Sequence, residues 1–75
     1  MTSEYVSIGE LVRITGTRYS TLKFYTEEGM LPFEQEDVNL TRRYNRVASV
    51  ERIEFIKKLR SDGRSIPEIK DILRR

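Results

Sequence analysis

Residues 7–32 read S-I-G-E-L-V-R-I-T-G-T-R-Y-S-T-L-K-F-Y-T-E-E-G-M-L-P. Ser7 is a good helix N-cap, and Glu10 three residues later completes a capping-box pattern. Val6 and Leu11 stand at the two positions of a hydrophobic staple. At about 100° per residue, Ile8, Leu11, Val12 and Thr15 share one face, which predicts an amphipathic first helix ending at Gly16. Thr17 is the expected cap of a second helix running to about Glu28. Gly29 then supplies a left-handed residue, Met30 the apolar contact after it, and Pro32 prevents continuation. Two short helices joined at a glycine over residues 7–29 predict a helix-turn-helix.

The second helix sorts its side chains. Leu22 and Tyr25 point together toward the first helix, while Tyr19, Ser20, Lys23, Phe24 and Glu27 point roughly the other way. The adjacent Phe24 and Tyr25 are therefore expected to split, one ring outside and one in the core.

The flanking sequence completes the domain. Residues 33–44 read as a two-stranded hairpin with its turn at Asp37-Val38-Asn39, giving a wing over residues 31–45. Strand alternation puts Arg42 and Tyr44 on one face and Arg43 on the other. A third helix is expected from about Val47 to Ser61, its apolar residues Ala48, Val50, Ile53, Phe55, Ile56 and Leu59 spread over the wide arc of a central helix. Gly63 closes it. Ser65 and Glu68 form a second capping box, Pro67 sits early where its missing N–H costs little, and Ile66, Ile69, Ile72 and Leu73 make an apolar stripe. The expectation is one mainly α domain over residues 1–75: a winged helix-turn-helix with a two-stranded β-hairpin wing and two further helices over 47–75, four helices in all.

Bulk properties bound the chemistry. A chain of 75 residues is one small, marginally stable domain. It has no cysteine or histidine, which excludes disulfides and the usual structural zinc sites. No apolar run approaches the roughly 18–20 residues of a membrane span. The start, Met1 to Tyr5, carries neither a basic n-region nor an apolar h-region, so no signal peptide is expected. A cytoplasmic protein is the corresponding expectation.

Enzymatic readings are poor. The carboxylate pairs Glu27–Glu28 and Glu34–Glu36 lie among surface-type residues with nothing to bury them and raise a pKa, and there is no phosphate-cradling glycine loop. No catalysis, cofactor or metal is expected.

The net charge is only +2, so its distribution says more than its sum. Leu11 to Thr26 carries Arg13, Arg18 and Lys23 and no acid; Leu40 to Val50 carries Arg42, Arg43 and Arg46 and no acid. An α-helix fills the major groove of DNA, and its N-terminal residues reach base edges. The second helix opens Thr17-Arg18-Tyr19-Ser20-Thr21, offering a cation, an aromatic edge and hydroxyls, with Lys23 and Phe24 one turn on for the backbone. The N-terminus of the first helix also suits phosphate. On the wing, Arg42, Arg43 and Tyr44 could grip phosphates or place an arginine in a narrow minor groove. The bland alternatives are an ordinary solvated helix face, and cross-strand pairing of Arg42 or Arg43 with Glu34 or Glu36. Glu27 and Glu28 sit at the wrong end of their helix for its dipole, with Arg43 or Arg46 the expected neutralisers.

Taken together, S-I-G-E-L at 7–11, T-G at 15–16, T-L-K-F-Y at 21–25, G-M-L-P at 29–32, R-R-Y at 42–44, E-R-I-E-F-I-K-K-L-R-S-D-G at 51–63 and S-I-P-E-I-K-D-I-L at 65–73 resemble the DNA-binding domain of the mercury-resistance regulator (MerR) family. The resemblance covers almost the whole chain. It implies a winged helix-turn-helix that regulates transcription, as activator or repressor, in dimers on pseudo-palindromic promoters, many members bending or untwisting the DNA. It gives Lys23 and Phe24 the roles of the cation and first aromatic that touch DNA, Arg42 that of the wing arginine, and Tyr25 that of a second, mainly core aromatic. The departures are specific. Arg18 stands where the family usually has a capping serine, and Ser20 where it has a base-contacting arginine. Leu40 and Thr41 replace the wing's common glycine and tyrosine, and one extra residue sits near Asn45–Ser49. The family's long dimerisation helix, effector domain and metal-sensing cysteines have no counterpart in these residues, so ligand sensing is not carried over.

The expected partner is double-stranded DNA, with homodimerisation or cooperative self-association on DNA left open, as is whether these residues form a complete protein or an excised domain. The alternatives are a small architectural DNA-binding protein, such as an excisionase-like recombination factor, and a protein-interaction module using the Ile66–Leu73 stripe and Phe33.

Overall fold

The computed structural model describes residues 4–75; the first three residues, part of the segment on which the signal-peptide expectation rests, lie outside the described residues. The elements are β1 (Tyr5–Val6), α1 (Ile8–Thr15), α2 (Tyr19–Glu27), β2 (Tyr44–Asn45), α3 (Arg46–Ser61) and α4 (Ile66–Leu73). Four helices and a two-stranded antiparallel sheet make the winged helix-turn-helix expected from the sequence.

The helix ends follow local chemistry. The Ser7 hydroxyl accepts the Glu10 amide at 3.2 Å, and Val6 and Leu11 are both buried beside it. Gly16 ends α1 at φ 66°, and Lys57 on α3 donates to the Thr15 carbonyl at 2.8 Å, placing a cation at the negative end of that helix. The end of α2 is a full Schellman motif: the Gly29 amide bonds the Thr26 carbonyl and the Met30 amide bonds the Tyr25 carbonyl. Both halves of the Ser65–Glu68 capping box are formed on α4.

The core is a single cluster built on Leu11, Leu22, Tyr25, Met30, Leu31, Tyr44, Ile53, Ile56 and Ile69, with Ile8, Val12, Val50, Leu59, Ile66 and Leu73 packed around it. At its centre, α3 touches α1, α4 and β2. Its buried arc is narrower than the apolar pattern suggests, because Ala48 and Phe55 face outward. Ile66, Ile69 and Leu73 are spent on the core and do not form a free docking face.

Two expectations are corrected. The hairpin over residues 33–44 reduces to one antiparallel bridge, Glu34 with Arg43, whose two backbone bonds measure 2.7 and 2.8 Å. The sheet pairs Tyr5 with Asn45 and Val6 with Tyr44 instead. Beyond the bridge, side chains replace the ladder: Gln35 Nε2 donates to the Leu40 carbonyl at 2.6 Å, and Asp37 accepts the Asn39 amide at 3.0 Å in the turn where the sequence places it. Second, Arg18 and not Thr17 caps α2, and it makes no side-chain cap bond. Thr17 is buried, its hydroxyl 3.0 Å from that of Thr15, and so is turned away from the helix end.

Candidate nucleic-acid interface

The outward face of α2 is as the helical period predicts. Arg18, Tyr19, Ser20, Lys23, Phe24 and Glu27 are exposed, and Thr21 is half-buried at the edge. Tyr19 is 55% and Phe24 42% exposed, while Leu22 and Tyr25 are buried. Large aromatic area beside Lys23 is costly to leave in water without a partner. The first turn of α2 holds no acid, and its first backbone N–H groups have no side-chain cap, so donors and the positive end of the dipole stay open beside Arg18. Arg60 of α3, unmarked in the sequence reading, lines one open cleft of about 390 Å³ with Ser20, Thr21 and Phe24. Its charge opposes the upward push that burial gives the Tyr25 phenol. Only the packing of α3 beside α2 reveals it.

At the other end of α2, Glu28 is paired with Lys70 of α4 at 2.9 Å. Lys70 is therefore the neutralising cation, not Arg43 or Arg46. α4 folds back against the end of α2, a contact between residues 42 positions apart that no local pattern announces.

The wing presents its three candidates differently. Arg42 is half-buried, its guanidinium 4.8 Å from the centre of the Phe33 ring. Arg43 is exposed, its backbone making the bridge to Glu34. Among the described residues neither arginine pairs with Glu34 or Glu36. Glu34 instead accepts the Tyr5 hydroxyl at 3.2 Å, and that carboxylate raises the Tyr5 phenol above its ordinary value. Tyr44 is 1% exposed, with its ring 6.2 Å from Phe33 and its hydroxyl against Thr26. The expectation that Tyr44 touches DNA is corrected: it is a core residue beneath the wing. Beside α1, Arg42 and Arg43 share a cleft with Ser7, but Glu4 and Glu10 line it too and dilute its positive charge.

The buried Thr26–Tyr44 contact connects the two basic surfaces, tying α2 directly to the wing strand. The chain matches the family model for MerR HTH family regulatory proteins over residues 6–75.

The chain belongs to the MerR helix-turn-helix family. It is 34% identical over 71 residues to the mercuric resistance operon regulatory protein of Serratia marcescens, covering 95% of this chain and 49% of that protein. Proteins of the same description from Shigella flexneri and Pseudomonas fluorescens are 32% identical over the same length and coverage. The chain thus spans about half the length of these MerR relatives. No solved structure matches it. No group of three or more carboxylates is placed to hold a metal among the described residues, and no helix there is long and apolar enough to cross a membrane.

Proposed function

We propose that this domain binds double-stranded DNA and regulates transcription, with α2 in the major groove and the wing on the flanking backbone or minor groove. The observation that carries the reading is the outward face of α2: Arg18, Tyr19, Ser20, Lys23 and Phe24 exposed together around an uncapped helix start, in a chain of the MerR family. Helix N-terminal side chains reach base edges in this docking geometry, while cations a turn later meet phosphates. Arg18 and Ser20 supply base and phosphate contacts, Thr21 a hydroxyl at the edge, and Lys23 with Phe24 a backbone clamp. Arg42 and Arg43 extend the contact along the flank. Because Arg18 replaces a small capping residue at the tip of α2, the sequence it selects differs from that of relatives with serine there.

The domain acts by binding and not by catalysis, in the bacterial cytoplasm. One module buries only about 600–1,000 Å² on DNA, so tight binding requires a second copy on an adjacent half-site. Selection of bound sites from random duplexes tests this reading. The expected product is a short motif, and pseudo-palindromic if two copies bind together. Recovery of no enriched motif, with single-stranded DNA bound as well as duplex, would count against it.

A further inference from the structure

We infer that Phe33 is a positioning residue for the wing arginine, holding Arg42 in a preset direction before DNA arrives. The inference rests on the DNA-binding reading above and adds a residue to it. Phe33 follows Pro32 at the entrance to the wing, and the residue is 38% exposed, outside the main core. One neighbour is the Arg42 guanidinium, 4.8 Å from the Phe33 ring centre; the other is the Tyr44 ring at 6.2 Å, tilted by 49°. Tyr44 is in turn held by the buried Thr26 hydroxyl at 3.0 Å. The wing arginine is therefore braced through two rings to α2 itself. The Phe33 ring takes one side of the guanidinium, and the N–H donors that do not face it are the groups that recognise a phosphate or a base. An unbraced arginine loses rotamer freedom on binding; here part of that loss has already occurred on folding. Among the described residues no carboxylate pairs with Arg42, so the ring is the group that directs it.

The test measures equilibrium binding of the full chain to a short mixed-sequence DNA duplex for the parent, Phe33→Leu, Phe33→Tyr, Arg42→Ala and the Phe33→Leu/Arg42→Ala double variant. NMR of the free proteins records the Arg42 side-chain protons. Leucine keeps apolar packing on Tyr44 and removes the π face. From the strength of exposed cation–π contacts, Phe33→Leu should weaken binding about two- to fivefold. Phe33→Tyr should bind like the parent, and Phe33→Leu should add nothing once Arg42 is alanine. Ring-current shifts of the Arg42 side chain should be present in the parent and Phe33→Tyr and lost in Phe33→Leu. Parent-like binding by Phe33→Leu, an equal loss with Arg42 absent, or no ring-current shift in the parent would overturn the inference and leave the DNA reading standing. Failure of the parent to bind the duplex would overturn both. A parent that binds, with Arg42→Ala unaffected, would remove the wing contact and this inference but not the α2 interface.

Discussion

The hydroxyls of Thr26 and Tyr44 lie 3.0 Å apart in the buried interior, joining α2 to the wing strand β2. The Thr26 hydroxyl also donates to the Leu22 carbonyl at 2.9 Å. With that proton committed, Tyr44 is the donor in the pair. The two deletions should then be unequal. Tyr44→Phe removes a donor and leaves Thr26 bonded within its helix, at a cost of about 0.5–1.5 kcal/mol. Thr26→Val strands a buried phenol and should cost about 1–3 kcal/mol. Urea unfolding of both variants checks the order; an equal or reversed cost would place the donor elsewhere.

Glycine substitutions separate conformation from space. Gly29 has φ 74° and open room where a Cβ would stand, so Gly29→Ala should destabilise by about 1–2 kcal/mol through backbone strain alone. Gly9 lies inside α1, and its added Cβ would meet only the Ser7 hydroxyl at an ordinary 3.8 Å. Gly9→Ala should stabilise by about 0.4–1 kcal/mol by restricting the unfolded chain. Thermal unfolding measures both, and a loss of stability at Gly9 would contradict the account of α1.

The α4 cap makes an acid-dependent contribution. The Ser65 backbone N–H and then its hydroxyl hold the Glu68 carboxyl below its ordinary value of 4.5, with Arg64 adding to the effect. A depressed folded value stabilises above the unfolded one, so this contribution is complete above 4.5 and fades as pH falls through the folded value. Glu68→Gln preserves a capping side chain without the charge and should flatten that part of the acid limb. Ser65→Ala should cost about 1 kcal/mol at neutral pH. Urea midpoints across the acid range would show an unchanged slope for Glu68→Gln if this assignment is wrong.

Legibility in the sequence followed the range of each interaction. Ser7, Gly16, Gly29 and the Ser65–Glu68 box were readable because cap and partner lie within a few residues. The facing of Leu22 and Tyr25 inward and Phe24 outward was readable from the helical period. The pairing of Tyr5–Val6 with Tyr44–Asn45 was not, since two-residue strands carry no alternation and their partners lie far apart. Thr17 has the composition of a cap, yet its hydroxyl is taken by Thr15 within the turn. On the candidate site, alternation correctly grouped Arg42 with Tyr44, but both turn toward Phe33, so Tyr44 is lost from the surface. Arg60 and Lys70 reach α2 only through tertiary packing, which local patterns do not encode.

The central claim is that the outward face of α2 grips duplex DNA, and Lys23 is its most direct probe. The measurement is the dependence of duplex affinity on salt concentration for the parent and Lys23→Ala. Loss of one phosphate contact should weaken binding about equally across sequences and make the logarithmic salt slope shallower by about one unit. A Lys23→Ala protein that binds like the parent at every salt concentration would contradict the interface.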